Sequence, residues 1–314
     1  MQTHSQEQEE VTQELKFDAP QTRFVTDRGA LMAIDVAAAT HAGHVRTNNE
    51  DHYLVIRFGR SLEFLQTNIN PEFLRSNYSL TGYGLLVADG LGGMAGGEIA
   101  SRTALTKIVN LVIDTPDWIL GFEDPAKLDM VMARMTERFL KVDETLKSEA
   151  DHDASLIGMG TTLTTAATLN NDMMIAHIGD SRAYLFRNHK LTQLTRDHTV
   201  AQELIDAGIE RSDPATQSMR HVLTAALGSL GSRIQPQVQR IRLQDNDQVL
   251  LCTDGLTEMV DDKTIASLLR NTSTAAKACE DLTTVALAAG GSDNITVVLA
   301  RFGSTQSNQA SAVH

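Results

Sequence analysis

The amino-acid sequence predicts an α+β fold in which strands and helices are grouped instead of alternating. Short apolar runs typical of strands follow one another between residues 161 and 194. Helical patterns occur in pairs, over residues 98–114 with 126–149 and over 263–270 with 274–288. This order favours antiparallel sheets with helices outside them and disfavours a parallel nucleotide-binding fold, in which helices and strands alternate.

Composition and charge exclude several classes of partner. The formal net charge of −13 at pH 7 disfavours nucleic acid and anionic membranes, because both require a basic face. No apolar run approaches the length that spans a bilayer, and the N-terminus lacks the apolar segment of a secretion signal. Two cysteines give no disulfide framework. We therefore expect a cytoplasmic protein and take a monomer as the working hypothesis.

The first third of the chain begins with a polar segment, residues 1–28, which predicts a flexible tail ahead of a folded domain over residues 29–303. Strands are predicted at 30–39 and 53–56, where apolar and β-branched residues cluster. Residues 57–82 contain a proline and no clean period, and we interpret them as a long connecting insertion.

The remainder of the chain alternates between short strands and polar connections. Strands are predicted at 85–88, 161–169, 173–178, 182–186, 191–194, 236–243, 248–253 and 295–299, and a short helix is predicted at 200–207. Residues 209–222 are polar and we expect them to be irregular. Residues 304–314 predict a flexible C-terminal tail.

Aspartates stand at the ends of three of these apolar strands. They are Asp89, Asp254 and Asp293, and a glycine directly follows the first two. A carboxylate at the end of a buried strand is costly to desolvate unless a cation or a donor meets it. The glycines allow a tight turn and a close approach of the backbone to whatever the carboxylate binds.

Three carboxylates brought together in an apolar interior would repel one another, and a divalent cation resolves that conflict. All-oxygen ligands favour Mg²⁺ or Mn²⁺ over Zn²⁺. Two such ions about 3.5–4 Å apart can activate water and bind a phosphoryl oxygen. Each aspartate taken singly has an ordinary alternative as a turn or cap residue. The pattern alone goes no further.

Seven motifs in order resemble those of the PPM family, the metal-dependent protein phosphatases of type 2C, and in particular its bacterial members. The motifs occupy residues 46–51, 87–93 with 97–101, 158–163, 177–184, 194–199, 251–256 and 291–296. A single motif would be weak, but seven in family order between residues 33 and 302 are specific. The resemblance implies a four-layer sandwich of two central antiparallel β-sheets flanked by helix pairs.

The resemblance also implies a site for two Mn²⁺ or Mg²⁺ ions, with the catalytic roles on Arg46, Asp89 and Asp254. Asp89 would bridge both ions, the Gly90 carbonyl would bind one, and Asp254 and Asp293 would bind the other. The remaining implied contacts are these: Glu50 and Asp51 near the second ion, Asp180 with Asp254 at a weaker third position, and Arg46 on the substrate phosphate. Residues 200–222 would form a flap beside the cleft.

The implied activity is hydrolysis of phosphoserine and phosphothreonine on proteins by direct attack of metal-activated water, opposing a serine/threonine kinase. Some relatives carry a histidine as general acid where Leu91 stands here. The general acid is therefore unassigned, with His41, His44 and His52 nearby in sequence. Two alternatives stay open: a pseudophosphatase that acts as a regulatory or scaffolding module, and a hydrolase of small phosphoesters.

Overall fold

The computed structural model describes residues 32–62, 65–66, 69–70, 78–92, 96–115, 125–169, 171–229 and 234–304. The strands are β1 Met32–His41, β2 His52–Leu62, β3 Tyr78–Ala88, β4 Gly90–Leu91, β5 Gly160–Thr161, β6 Leu163–Leu169, β7 Asp172–Ile178, β8 Arg182–Arg187, β9 Lys190–Gln193, β10 Gln237–Arg242, β11 Gln248–Cys252 and β12 Ile295–Ser304. The helices are α1 Gly96–Asp114, α2 Pro125–His152, α3 Val200–Asp206, α4 Pro214–Ser218, α5 Asp254–Thr257, α6 Asp262–Asn271 and α7 Ala275–Ala288.

Two five-stranded antiparallel sheets form the centre of the protein. The first sheet has the order β1-β12-β11-β8-β9, and the second has the order β10-β7-β6-β3-β2. A short ladder of β4 with β5 pairs Gly90 with Thr161, directly beyond the end of β3. The α+β sandwich predicted from the sequence is therefore the fold of the described residues.

The strands are apolar on both faces because each sheet lies between a helix layer and the other sheet. In β3, Leu85 and Val87 point into the core between the sheets, whereas Leu86 and Ala88 contact the cluster that includes α1 and α2. In β11, Leu251 lies between the sheets and Leu250 contacts the cluster that includes α6 and α7. Burial on both faces produces continuous apolar runs, and these are the runs that predicted the strands.

The segment interpreted as an insertion over residues 57–82 is partly strand. The pairing of β2 with β3 continues from His52↔Ala88 to Leu62↔Tyr78, so both strands extend well into that range. Residues 57–61 are mostly exposed or half-buried, and a strand without a buried face gives no clear alternation in the sequence. The rest of the connection lies largely outside the described residues, as do the N-terminal tail and residues 305–314.

The stretch predicted to be irregular over residues 209–222 contains helix α4. Asp213 caps this helix by accepting a hydrogen bond from the Ala215 amide at 2.8 Å, and Pro214 occupies its first turn. Both are favourable helix-start residues, so the Asp-Pro pair was a usable signal. In the described part of the chain, no helix has the length and apolarity needed to cross a bilayer.

Candidate metal centre

Five carboxylates from separate strand ends converge at one edge of the two sheets. Asp89 follows β3, Asp51 precedes β2, Asp180 precedes β8, Asp254 opens α5 directly after β11, and Asp293 precedes β12. Each of the other four carboxylates interacts electrostatically with Asp89, and the Asp89 carboxyl is hydrogen-bonded to the Asp254 carboxyl. The two sheets thus contribute carboxylates to a single cluster.

Burial and mutual repulsion raise the pKa values of these carboxyls. Desolvation, the largest cause, raises the pKa of Asp51 to about 7, although hydrogen bonds from Thr296 and Thr253 oppose it. The pKa of Asp254 also rises to about 7, through desolvation and then the charges of Glu258 and Asp293. Desolvation and neighbouring aspartates raise the pKa values of Asp89 and Asp180 well above the usual range. Ionising this cluster at neutral pH requires a compensating positive charge.

The hydrogen bonding at the site fits a divalent cation. Among the described residues, Oδ1 of Asp51 and Oδ1 of Asp254 are buried and accept no hydrogen bond. Buried carboxylate oxygens without a donor are rare, and a hard cation is the partner that such oxygens accept most readily. The candidate ligand atoms of the cluster are all oxygens, as expected for Mg²⁺ or Mn²⁺.

Backbone contacts around Asp89 explain the Gly-Thr-Thr motif at residues 160–162. The Asp89 carbonyl accepts hydrogen bonds from the Thr161 hydroxyl at 2.8 Å and the Thr162 amide at 2.9 Å. The Asp89 amide donates to the Thr162 hydroxyl at 2.9 Å. Thr162 contacts the Ser181 hydroxyl at 2.7 Å, so the same residue joins Asp89 to the loop that carries Asp180. These threonines are fully buried and fix the aspartate by its backbone.

Gly90 is required because other backbone atoms approach it closely. A Cβ added to Gly90 would lie 2.2 Å from the Gly97 carbonyl oxygen and 2.8 Å from the Glu50 carbonyl oxygen. No side chain can be accommodated at those distances without moving the backbone. The glycine therefore brings α1, β4 and the loop before β2 together beside Asp89.

Asn294 organises the loop that carries Arg46 and Glu50. Its side-chain oxygen accepts the Glu50 amide at 2.8 Å, and its amide nitrogen donates to the carbonyls of Ala42 at 3.0 Å and Asn48 at 2.8 Å. Arg46 donates to Oδ2 of the adjacent Asp293 at 2.7 Å, and this contact raises the pKa of Arg46. The predicted phosphate contact and a predicted metal ligand are thus neighbours, although 247 residues separate them.

The two first-motif carboxylates are Asp51, which belongs to the cluster, and Glu50, which lies beside it. Thr253 donates from its hydroxyl to Oδ2 of Asp51 at 2.8 Å and accepts the Thr296 amide at 3.0 Å. Glu50 is half-buried, and desolvation raises its pKa while Arg46 lowers it. The structure therefore brings all of the predicted ligand residues to one edge of the sandwich.

Comparisons with known proteins agree with this geometry. The family model described as protein phosphatase 2C matches residues 85–295. The serine/threonine phosphatase Stp of Listeria monocytogenes is 34% identical over 223 residues, which cover 71% of this chain and 85% of that protein. The chain belongs to the protein phosphatase 2C family.

Solved structures of the family share the fold as well as the sequence. The catalytic domain of PstP, crystallised with two manganese ions, superposes with a TM-score of 0.66 at 30% identity, covering 87% of this chain and 99% of that one. Stp1 from Staphylococcus aureus gives a TM-score of 0.70 at 26% identity over 88% of this chain and 98% of that one. The PstP protein of Mycobacterium tuberculosis is 33% identical over 288 residues, which cover 90% of this chain. The chain therefore spans about half (48%) of the length of PstP.

The family membership makes this chain a phosphoprotein phosphatase and confirms the four-layer sandwich expected from the motifs. Three residues of the phosphatase site were not singled out from the sequence: Thr253, Asn294 and Glu258. Thr253 and Asn294 each adjoin a predicted ligand, so their proximity in the chain was the available signal. Glu258 lies one helical turn after Asp254, a spacing that places both side chains on one face.

Arg182 forms an ion pair with Asp197 beside the loop that carries Asp180. Arg182 donates to both oxygens of Asp197, at 2.6 Å to Oδ2 and 3.0 Å to Oδ1, which joins the fourth and fifth motifs. His198 accepts the Gly179 amide on Nδ1 at 3.0 Å. Both contacts hold the loop that presents Asp180.

The nearby histidines and cysteines have structural contacts. His52 contacts the Ser101 hydroxyl through Nδ1 at 2.9 Å, and His41 accepts the Gly43 amide at 2.8 Å. The His44 amide donates to the Gly291 carbonyl at 2.7 Å. Cys252 and Cys279 are buried, and desolvation raises the pKa of each thiol to about 12, which makes neither a thiolate nucleophile at neutral pH.

Proposed function

We propose that this phosphatase holds two Mn²⁺ or Mg²⁺ ions at the carboxylate edge and hydrolyses phosphoserine and phosphothreonine on proteins without a phosphoenzyme. The single observation that carries the proposal is the pair of buried, unpartnered oxygens on Asp51 and Asp254. The two manganese ions bound by the catalytic domain of PstP, a relative of the same fold, support the choice of metal.

The proposed ligands are those implied by the family motifs. Asp89, the Gly90 carbonyl, Asp254 and Asp293 would hold the two ions, with Asp89 shared between them. Glu50 and Asp51 lie beside the second ion, and Asp180 with Asp254 offers a weaker third position. The ions supply water activated at neutral pH and positive charge for the phosphoryl oxygens.

The protein's own groups orient the substrate and the ligands. Arg46 is half-exposed at the mouth of the site, and its planar guanidinium suits a bidentate contact with phosphate. Thr161, Thr162 and Thr253 hold the aspartates in place through the hydrogen bonds described above, so little reorganisation accompanies the reaction. We leave the proton donor to the departing alcohol unassigned, because Leu91 supplies no acid.

The proposed substrates are phosphorylated proteins produced by a serine/threonine kinase, and the proposed setting is a cytoplasmic signalling role for a monomer. A net charge of −13 supports the absence of nucleic acid and anionic membrane as partners. The retention of every predicted metal aspartate supports a working enzyme over the pseudophosphatase alternative.

The decisive experiment measures hydrolysis of a phosphothreonine peptide with Mn²⁺, with a chelator, and with Asp254→Asn as the control variant. We expect turnover only for the wild-type protein with Mn²⁺. Activity that survives chelation would overturn the metal assignment, and an inactive, folded wild-type protein that still binds phosphoprotein would favour the pseudophosphatase. Parallel assays on p-nitrophenyl phosphate and on nucleotides test the small-phosphoester alternative, which predicts a higher kcat/KM for those compounds than for the peptide.

A further inference from the structure

The two ends of the flap, residues 200–222, are joined to each other at its base, and the His198 amide at that base donates to the Gly179 carbonyl at 2.7 Å. An antiparallel bridge joins Thr199 to Leu223, and the Val200 amide donates to the Val222 carbonyl at 2.8 Å. The Thr224 amide donates to the His198 carbonyl at 2.8 Å. Helices α3 and α4 lie between these ends. The base of the flap is therefore fixed, and any further control of its position must come from contacts made beyond the base.

A polar cavity of about 190 Å³ separates the flap from the carboxylate edge. Its walls include Asp180 and Asp254 from the edge, Gln202 and Arg220 from the flap, and Glu258, the C-cap residue of α5. A substrate protein that presents a phosphorylated residue to the carboxylates must approach alongside this cavity. The binding of a large substrate therefore depends on the distance between the flap and the carboxylate edge.

One series of side chains crosses from the flap to the edge. Arg220 donates from Nε to Nε2 of His221 at 2.9 Å, and Nδ1 of His221 lies 2.5 Å from Oε1 of Glu258. Because Nε2 accepts a hydrogen bond, the ring proton is on Nδ1 and is donated to the carboxylate. A neutral imidazole satisfies both contacts at once. Arg220 thus donates to His221 and His221 donates to Glu258, so the three side chains form a continuous chain of hydrogen bonds.

Glu258 connects this run to the metal centre. Its amide donates to the Asp254 carbonyl at 2.8 Å, so it belongs to the same short helical turn as that ligand. The ligand atoms of His221, Asp254 and Glu258 all lie within 4.8 Å of one another. The Glu258 side chain is largely buried, with 16% of its surface exposed, whereas His221 is 51% exposed. A flap residue therefore contacts a partly desolvated carboxylate beside the site.

We propose that His221 and Glu258 form a latch that holds the flap against the carboxylate edge and thereby positions the flap for phosphoprotein substrates. The latch also fixes Nε of Arg220 and so orients a guanidinium in the wall of the cavity. Met219 and Val222, exposed at 41% and 43%, flank the latch on the flap surface. An incoming polypeptide contacts such a surface, whereas a small aryl phosphate reaches the carboxylate edge without it. The inference rests on the proposed hydrolysis at the neighbouring site.

The same three side chains could instead bind a cation, since imidazole and carboxylate are suitable ligands. The hydrogen bond from Arg220 argues for the latch, because it places the ring proton on Nδ1, the atom that a cation would need. The latch and the cation site differ in their dependence on metal concentration, and a mutant cycle at controlled Mn²⁺ separates them.

The test is a double-mutant cycle on the full chain at fixed Mn²⁺, with His221→Ala, Glu258→Ala and the double variant. We expect each single change to raise KM for a phosphorylated protein by about 3- to 10-fold, with the double variant no worse than the poorer single one. His221→Ala should leave kcat/KM for p-nitrophenyl phosphate unchanged. Trypsin should cleave after Arg211 in the flap faster in the single variants. Glu258→Gln keeps an acceptor oxygen and should restore the phosphoprotein KM, whereas Glu203→Ala, an exposed flap change, is the matched control.

Three results would overturn the latch. Additive effects of the two changes would show that the residues act independently. An equal loss on both substrates would place His221 in the carboxylate site. A coupling that appears only with Mn²⁺ or Zn²⁺ in excess would establish a cation between them. A wild-type protein that hydrolyses neither substrate would instead refute the proposed function.

Discussion

Replacing Asp254 by asparagine should stabilise the metal-free protein at alkaline pH while removing its activity. In the folded state the pKa of Asp254 is about 7, against an ordinary value of 3.8. The folded state therefore binds the proton more tightly, and the free energy of unfolding falls as the pH rises from about 4 to about 7. At 1.36 kcal/mol per pKa unit, the ionised carboxylate destabilises the fold by about 4 kcal/mol at pH 8.

Asparagine has the same shape and no charge, but its amide brings two donors that also need partners. We therefore expect a net gain of about 1–3 kcal/mol in a chelator at pH 8, which raises Tm by about 3–8 °C for a domain of this size. At pH 5 the carboxyl is protonated in the folded state but mostly ionised in the unfolded state, so only about 1.6 kcal/mol of the destabilisation remains and the net gain should fall to about zero or below. Thermal unfolding followed by circular dichroism at both pH values measures the difference.

Manganese should reverse the order of stability. A ligand that binds the folded state at 100 times its Kd adds about 2.7 kcal/mol, and the variant should lose most of this gain. Asp245→Asn, at an exposed position, is the matched control and should change Tm little under any condition. If Asp254→Asn lowers Tm in the chelator as much at pH 8 as at pH 5, the carboxylate is not under electrostatic strain and the assignment of a cation site loses its physical basis.

Three further predictions address the same edge. Asp89→Asn should fold normally by circular dichroism yet lower kcat by about 100-fold or more, since the bridging carboxylate is lost; retained turnover would refute its role. Arg46→Ala should raise KM for a phosphopeptide about 10-fold with little change in kcat, because phosphate is bound in ground and transition states alike; an unaltered KM would make it a surface arginine. Gly90→Ala should lower the free energy of unfolding by about 1–3 kcal/mol in urea titrations, because its Cβ meets the Gly97 carbonyl; an unchanged midpoint would contradict the close approach.

Much of the fold was predictable because burial on both faces of a strand leaves a continuous apolar run. Residues 85–88 and 249–252 are such runs; the first predicted only the last four residues of β3, which begins at Tyr78, and the second predicted β11 to within one residue. The extension of β2 beyond Ile56 was missed for the opposite reason. Its outer half includes exposed residues such as Arg57 and Arg60 at the edge of a sheet, where cross-strand pairing and not burial sets the structure.

The aspartates of the site were predictable as a set, but their spacing along the chain does not indicate that they converge. Asp89 and Asp293 are separated by 204 positions (293 − 89) and belong to different sheets. Their recurrence at the ends of apolar strands suggested a common site, and the family motifs, in order, made that site specific. The supporting residues were harder to find, because Asn294 acts through its amide and Thr253 through a hydroxyl, and neither residue type is unusual at a strand end.

The contact between Arg46 and Asp293 links metal binding to substrate binding. The same Oδ2 that accepts the guanidinium at 2.7 Å belongs to a proposed metal ligand, so the arginine and a cation compete for one carboxylate. In the proposed site, a cation bound to Asp293 would release Arg46, which stays beside the site because Asn294 holds its loop to the same β12 terminus. The released guanidinium would then be available for the substrate phosphate. Arg46 is thus positioned to neutralise Asp293 or phosphate in turn, and its 55% exposure allows it to do either without desolvating a second charge.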